Sequence, residues 1–116
     1  MSWRFHLLNK PYGSVTEGPV WDGENLLFTH IAASRIYRCD HKTDEITVWR
    51  VGTNRTNGLA HDEQGRRFGC CAGGRAILRL DPDGNDVVVA DEFDGHKLNT
   101  PNDLAIHRQG RTWFSN

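Results

Sequence analysis

Three oxygen-bearing side chains, Glu17, Asn57 and Asn102, each open a stretch of similar shape. The stretches are Glu17-Gly18-Pro19-Val20-Trp21-Asp22, Asn57-Gly58-Leu59-Ala60-His61-Asp62, and Asn102-Asp103-Leu104-Ala105-Ile106 behind Asn99-Thr100-Pro101. One carboxylate and several amides brought to a point suit a hard divalent cation. Calcium takes roughly 6–8 oxygen ligands, and magnesium or manganese about six. Such an ion polarises a carbonyl or phosphoryl oxygen and lowers the pKa of bound water. The competing reading is plain turn chemistry, because Asn and Asp side chains bond their own backbone in turns. A shared phase within a repeat favours the first reading, since turn chemistry alone has no reason to produce it.

Other chemistries fit the residues less well. His6, His30, His41, His61, His96 and His107 form no pair at i+2 or i+4, so a histidine-based zinc site has no spacing to support it. Surface and packing roles are expected for most of them, while His30 lies near an expected strand end from which it could approach the ring of oxygens. Cys39, Cys70 and Cys71 are odd in number, two are adjacent, and no Cys-x-x-Cys occurs, so free thiols are expected. There is no Gly-x-Ser-x-Gly elbow and no phosphate-cradling glycine loop.

The bulk numbers exclude further classes. The formal net charge is −1 over 116 residues, with Lys and Arg scattered, so neither a nucleic-acid arm nor a membrane patch is expected. No apolar run approaches the ~20 residues of a membrane helix. Met1 to Leu8 lacks the apolar core of a signal peptide, and a cytoplasmic location is expected. Asn54-Arg55-Thr56 matches a glycosylation acceptor and is read as chance on that basis.

The elements that position these oxygens follow a repeat. After Glu17–Asp22 come a turn at Asp22–Asn25, an apolar run Leu26–Ile31, an alternating run Arg35–Asp40, and a β-branched and aromatic run Glu45–Val51. The series restarts with Asn57–Asp62, Arg67–Ala72, Ala76–Leu80, a Pro-Gly turn at Asp81–Gly84, and Val87–Ala90. A third round opens at Asn102. The three openings lie 40 and 45 residues apart, and eleven positions after each stands an aromatic, Phe28, Phe68 or Trp113, read as core between blades. No stretch has helical periodicity. A period of about 40–45 residues holding four short strands is the signature of a β-propeller blade. The fold class expected is all-β: about two blades and the start of a third. Equivalent residues of successive blades sit at equivalent places about the axis, so Glu17, Asn57 and Asn102 form part of one ring, with Asp103 beside it.

At this point the chain resembles the gluconolactonase, regucalcin (senescence marker protein) and lactonase-like propellers. The residues that carry the resemblance are Glu17-Gly18-Pro19-Val20-Trp21, Thr56-Asn57-Gly58-Leu59-Ala60, Arg79-Leu80-Asp81-Pro82-Asp83-Gly84 and Leu98-Asn99-Thr100-Pro101-Asn102-Asp103-Leu104. They cover nearly all of the sequence from about residue 15.

The resemblance implies a six-bladed propeller with one divalent metal in its central tunnel, hydrolysing sugar lactones. Calcium is the cation expected, with zinc, manganese and magnesium as alternatives. Carried over position by position, Glu17 is a metal ligand and Asn102 a ligand or substrate contact. Asn99 corresponds to a substrate-contacting position, and Asp103 supports the loop; Asn57, placed in the ring by the repeat, is expected to line the same pocket. The catalytic base and the remaining ligands are implied to come from later blades. Six blades need roughly 270 residues, so the expectation for residues 1–116 is a partial propeller domain, an N-terminal portion with an incomplete metal site and self-association through open edges. His30 departs from the family pattern, which often has Asp there. The alternative function is a non-catalytic propeller that binds calcium or a small molecule, and a third is an inactive truncated product.

Overall fold

The computed structural model describes residues 1–116. Every regular element is a strand. β1 (Thr16–Trp21), β2 (Asn25–His30), β3 (Arg35–Asp40) and β4 (Ile46–Val51) form one antiparallel meander. β5 (Thr56–His61), β6 (Arg67–Cys71), β7 (Ala76–Leu80) and β8 (Asp86–Ala90) form a second. A small hairpin, β9 (Glu92–Phe93) with β10 (His96–Lys97), leads to the pair β11 (Leu104–Ile106) and β12 (Thr112–Phe114). These are two four-stranded blades and the first two strands of a third. No helix of the chain is long and apolar enough to cross a membrane.

The repeat extends to the turns. In the first hairpin Asp22 Oδ1 accepts the N–H groups of Glu24 (2.9 Å) and Asn25 (2.6 Å). In the second, Asp62 Oδ1 accepts those of Gln64 (3.0 Å) and Arg66 (2.9 Å). In the third, His107 Nδ1 takes the same place, accepting from Gln109 at 3.1 Å. Short polar side chains that cap their own turn fix where each hairpin reverses.

Alternation along the strands builds two cores. Leu27 and Ile36 of the first blade meet Leu59 and Leu80 of the second. Phe68, Cys70 and Ile77 turn to the other side, where Leu98 and Leu104 cover them. The second blade is thus buried on both faces. The outer face of the first carries Phe28, His30 and Tyr37, with Tyr12 from the lead-in lying across them at ring distances of 5.8, 5.5 and 4.9 Å. Of the three aromatics expected between blades, Phe68 is buried there, Phe28 joins this outer cluster, and Trp113 is 67% exposed because nothing in the chain covers the far side of β12.

At the rim the first two blades are tied by charge. The guanidinium groups of Arg50 (4.4 Å) and Arg67 (4.2 Å) both lie over the Trp49 ring. Arg67 also reaches Asp22 at 3.5 Å, and Arg50 reaches Asp86 at 2.5 Å.

Candidate functional site

The innermost strands β1, β5 and β11 stack side by side, and their entrances share one irregularity. Between Glu17 and Val20, and again between Thr56 and Leu59, two residues on the inner strand face one on its partner. Each bulge contains a glycine against which the next blade rests. A Cβ built on Gly18, whose φ is +54°, would lie 2.5 Å from the Asn57 carbonyl oxygen. One on Gly58 would lie 2.6 Å from Asp103 Oδ1 and 2.8 Å from the Asn102 carbonyl oxygen. The close approach closes a hydrogen bond from Gly58 N–H to Asn102 O at 2.8 Å. Glu17-Gly18, Asn57-Gly58 and Asn102-Asp103 therefore sit rung upon rung, as their common phase requires.

Asn57 and Asn102 come together in one cleft of about 380 Å³, whose walls also include Ile31, Arg55, Thr100 and Pro101. Asn57 is 9% exposed and Pro101 fully buried, while Arg55 and Asn102 are open to solvent. Glu17 does not line this cleft. It borders a separate concavity of about 750 Å³ between the outer side of β1–β2 and residues 7–14. Asn99 stands outside the cleft as well, its N–H donating to Asn116 Oδ1 at 2.7 Å. Asp103 holds the loop: its Oδ1 accepts Leu104 N–H (2.9 Å), and its own N–H donates to Ser115 Oγ (3.1 Å). His30 does not reach the cleft. It is buried against Tyr12 and Tyr37, with neither ring nitrogen hydrogen-bonded.

The side-chain oxygens of Glu17, Asn57 and Asn102 take no part in the hydrogen bonds that hold the loops. They are hard donors left over by the fold, which is the chemistry a cation or a polyhydroxylated ligand uses. No group of three or more His, Cys, Asp or Glu side chains gathers anywhere in the chain. Asn57 and Asn102 share the cleft, and Glu17 borders the other concavity. Behind the loop, burial pushes the Cys70 thiol up to about 12, with the Asp103 and Cys71 charges acting in the same direction, so it stays a protonated packing group.

Arg55 is a cleft residue that motif reading passes over. Residue spacing gives no signal for it, because Arg55 precedes β5 in a left-handed turn and strand alternation does not apply there.

An open array of stacked four-stranded blades with polar side chains at the inner-strand entrances defines an all-β, propeller-type protein with an axial cleft. The SMP-30/Gluconolactonase/LRE-like region matches residues 15–116, and the chain belongs to that family. Among relatives, a gluconolactonase of Zymomonas mobilis subsp. mobilis is 28% identical over 115 residues, covering 86% of this chain and 32% of the relative. A gluconolactonase of Xanthomonas campestris superposes with a TM-score of 0.81 at 34% identity, over 87% of this chain and 34% of that one. The structure of a putative gluconolactonase superposes at 0.84 with 28% identity, over 92% and 37%. The chain spans about a third of the length of each of these relatives.

Proposed function

We propose that the chain forms part of a lactone-hydrolysing propeller of the gluconolactonase type, a carboxylic ester hydrolase acting on a sugar lactone. The observation that carries this reading is the pairing of Asn57 and Asn102 in one cleft of a chain belonging to this family from residue 15 onward. Their amides are free to bind hydroxyl and ring oxygens of a small sugar derivative. The half-buried Ile31 and the buried Pro101 offer the ring an apolar surface.

Glu17 and Asn102 are the residues that would hold a divalent cation, calcium first and zinc, manganese or magnesium otherwise. When bound, that cation supplies polarisation of the lactone carbonyl towards attack by water. Asn57 lines the substrate side, and Asn99 stands at the loop entrance. Asp103 keeps Asn102 in place through its bonds to Leu104 and Ser115. The base and the other ligands expected from the resemblance have no counterpart among these residues. They would come from further blades, on a longer chain or a second molecule.

A second reading, a propeller that binds calcium or a small molecule without turnover, draws support from the placement of Glu17 beside a different concavity from the two amides. Calorimetric titration with calcium and with manganese, followed by a sugar-lactone hydrolysis assay with the metal present, separates the two. Where further blades are supplied, by a longer chain or a second molecule, binding with turnover is expected of the first reading, and Glu17→Gln should then weaken binding at least tenfold and abolish hydrolysis. Binding without turnover favours the second. Unchanged metal affinity in Glu17→Gln would remove Glu17 from the ligand set.

A further inference from the structure

We infer that Arg55 gives the cleft a preference for lactones that carry a separate anionic group, such as a free carboxylate. The inference rests on the lactone reading above and narrows its substrate class.

The first ground is charge. Among the residues lining the cleft with Asn57 and Asn102 there is no Asp, Glu, Lys or His, so the Arg55 guanidinium is its single formal charge. Some arginines elsewhere in the chain are engaged. Arg50, Arg66, Arg67 and Arg79 each reach an aspartate, and Arg75 donates to the Leu98 carbonyl. The side chains of Arg4, Arg35, Arg38 and Arg108, like that of Arg55, have no hydrogen-bond or ion-pair partner; Arg55 differs from these in lining the cleft. The bond that Arg55 donates is from its backbone N–H. A guanidinium presents a planar fork of donors, and its best partner is a carboxylate or phosphate bound through two parallel hydrogen bonds.

The second ground is the backbone that carries it. Asn54 and Arg55 are consecutive left-handed residues, with φ of +48° and +60°. Asn tolerates that region, a long side chain such as that of Arg55 or Arg75 adopts it only at a cost, and glycine would take the position without strain. The surrounding loops clamp the pair. Arg55 N–H donates to Ser34 Oγ (3.0 Å) from the first blade. From the second, Gly73 N–H donates to Asn54 O (3.0 Å) and Ala72 N–H to Arg55 O (3.4 Å). The direction in which the side chain leaves the backbone is therefore set before any ligand arrives. Strained residues held by their surroundings concentrate at ligand-binding sites.

The third ground is complementarity within the cleft. Asn57, Asn102 and Thr100 provide neutral polar groups for hydroxyls, Ile31 and Pro101 an apolar surface for a ring, and Arg55 a cation at the edge. A sugar-acid lactone with one acid group left free presents those three features together.

The test compares two ligands of one ring size: the five-membered monolactone of glucaric acid, which keeps a free carboxylate, and the five-membered gluconolactone, which has a hydroxymethyl group instead. Binding of each to the 116-residue chain is measured by calorimetry, alongside the melting temperature. The acidic lactone should bind at least about tenfold more tightly, the scale of a charge-assisted pair. Arg55→Gly should erase that ratio while raising the melting temperature, because it relieves the left-handed strain. Arg55→Lys should keep part of the ratio. Equal affinity of the unaltered chain for both ligands would overturn the inference and leave the lactone reading standing. A preference that survives Arg55→Gly would also overturn it. A lower melting temperature with loss of both ligands would make Arg55 a structural residue. Failure of the unaltered chain to bind either ligand would overturn the inference that Arg55 sets a preference, while the lactone reading, which assigns part of the site to further blades, is decided by the hydrolysis assay.

Discussion

His61 ends β5 with its Nε2 accepting a hydrogen bond from Arg67 Nε at 3.0 Å, which requires a neutral ring with the proton on Nδ1. Burial, and then the Arg67 charge, lowers its pKa below the ordinary 6.5, against the opposing pull of Asp22 and Asp62. The unfolded chain therefore takes up a proton at a higher pH than the folded one. The contribution to stability is complete above the unfolded value and is lost as pH falls below about 6.5, levelling off under the folded pKa. Melting temperatures across that range should fall with acidification in the parent chain and show a shallower slope in His61→Gln. Equal slopes would mean that His61 does not control this limb. At the same scale, the pairing of Asn57 with Asn102 was legible in the sequence, because phase within a repeat is conserved in space when blades stack. The direction of Glu17 was not. The bulge at Gly18-Pro19 follows it at once, and an extra residue in one strand re-aims the side chains beside it, which residue spacing does not reveal.

Among the elements, the long strands were readable because a half-buried strand alternates with period two, and the Asp22 and Asp62 turns mark their ends. The β9–β10 hairpin was not read, since two-residue strands are too short to carry a period. Trp113 shows a related limit: phase placed it correctly in its strand, but exposure depends on whether another layer covers that strand. The contact that joins the second blade to the third is Gly58, and it makes a sharp test of blade stacking. Gly58→Ala puts a methyl carbon inside the contact distance of Asn102 O and Asp103 Oδ1. Overpacking of this kind costs about 1–3 kcal/mol. Urea unfolding of that variant should show a lower midpoint, whereas Gly65→Ala, at a turn with open space around it, should show only the smaller penalty of its positive φ of +76°. A midpoint for Gly58→Ala no lower than that for Gly65→Ala would remove the stacking contact as a cost, since Gly58 has no left-handed φ for a side chain to strain.

For the whole molecule, the second blade has neighbours on both faces and the other parts do not. The first blade's aromatic face and the far side of β12 meet only the lead-in or solvent, and Phe93 and Trp113 are 80% and 67% exposed. Exposed apolar faces and open edges favour association with further copies. Sedimentation velocity on the isolated chain should show a weight-average coefficient that rises with concentration, and a single monomer boundary at every concentration would contradict this. The unequal coverage of the blades has a kinetic consequence inside each molecule. Thr56 to Leu59 of β5 are all buried, while Asp86 to Val89 of β8 are all exposed. Opening β5 to solvent requires separating two blades at once, whereas β8 can detach alone. Amide deuterium uptake should therefore be slowest in β5 and its partner β6, tracking complete unfolding there, and fast in β8 and the β9–β10 hairpin. On that account the stretch that carries Asn57 is the last part of the chain to lose its protected protons, and the cleft is anchored on the slowest-opening strand of the fold.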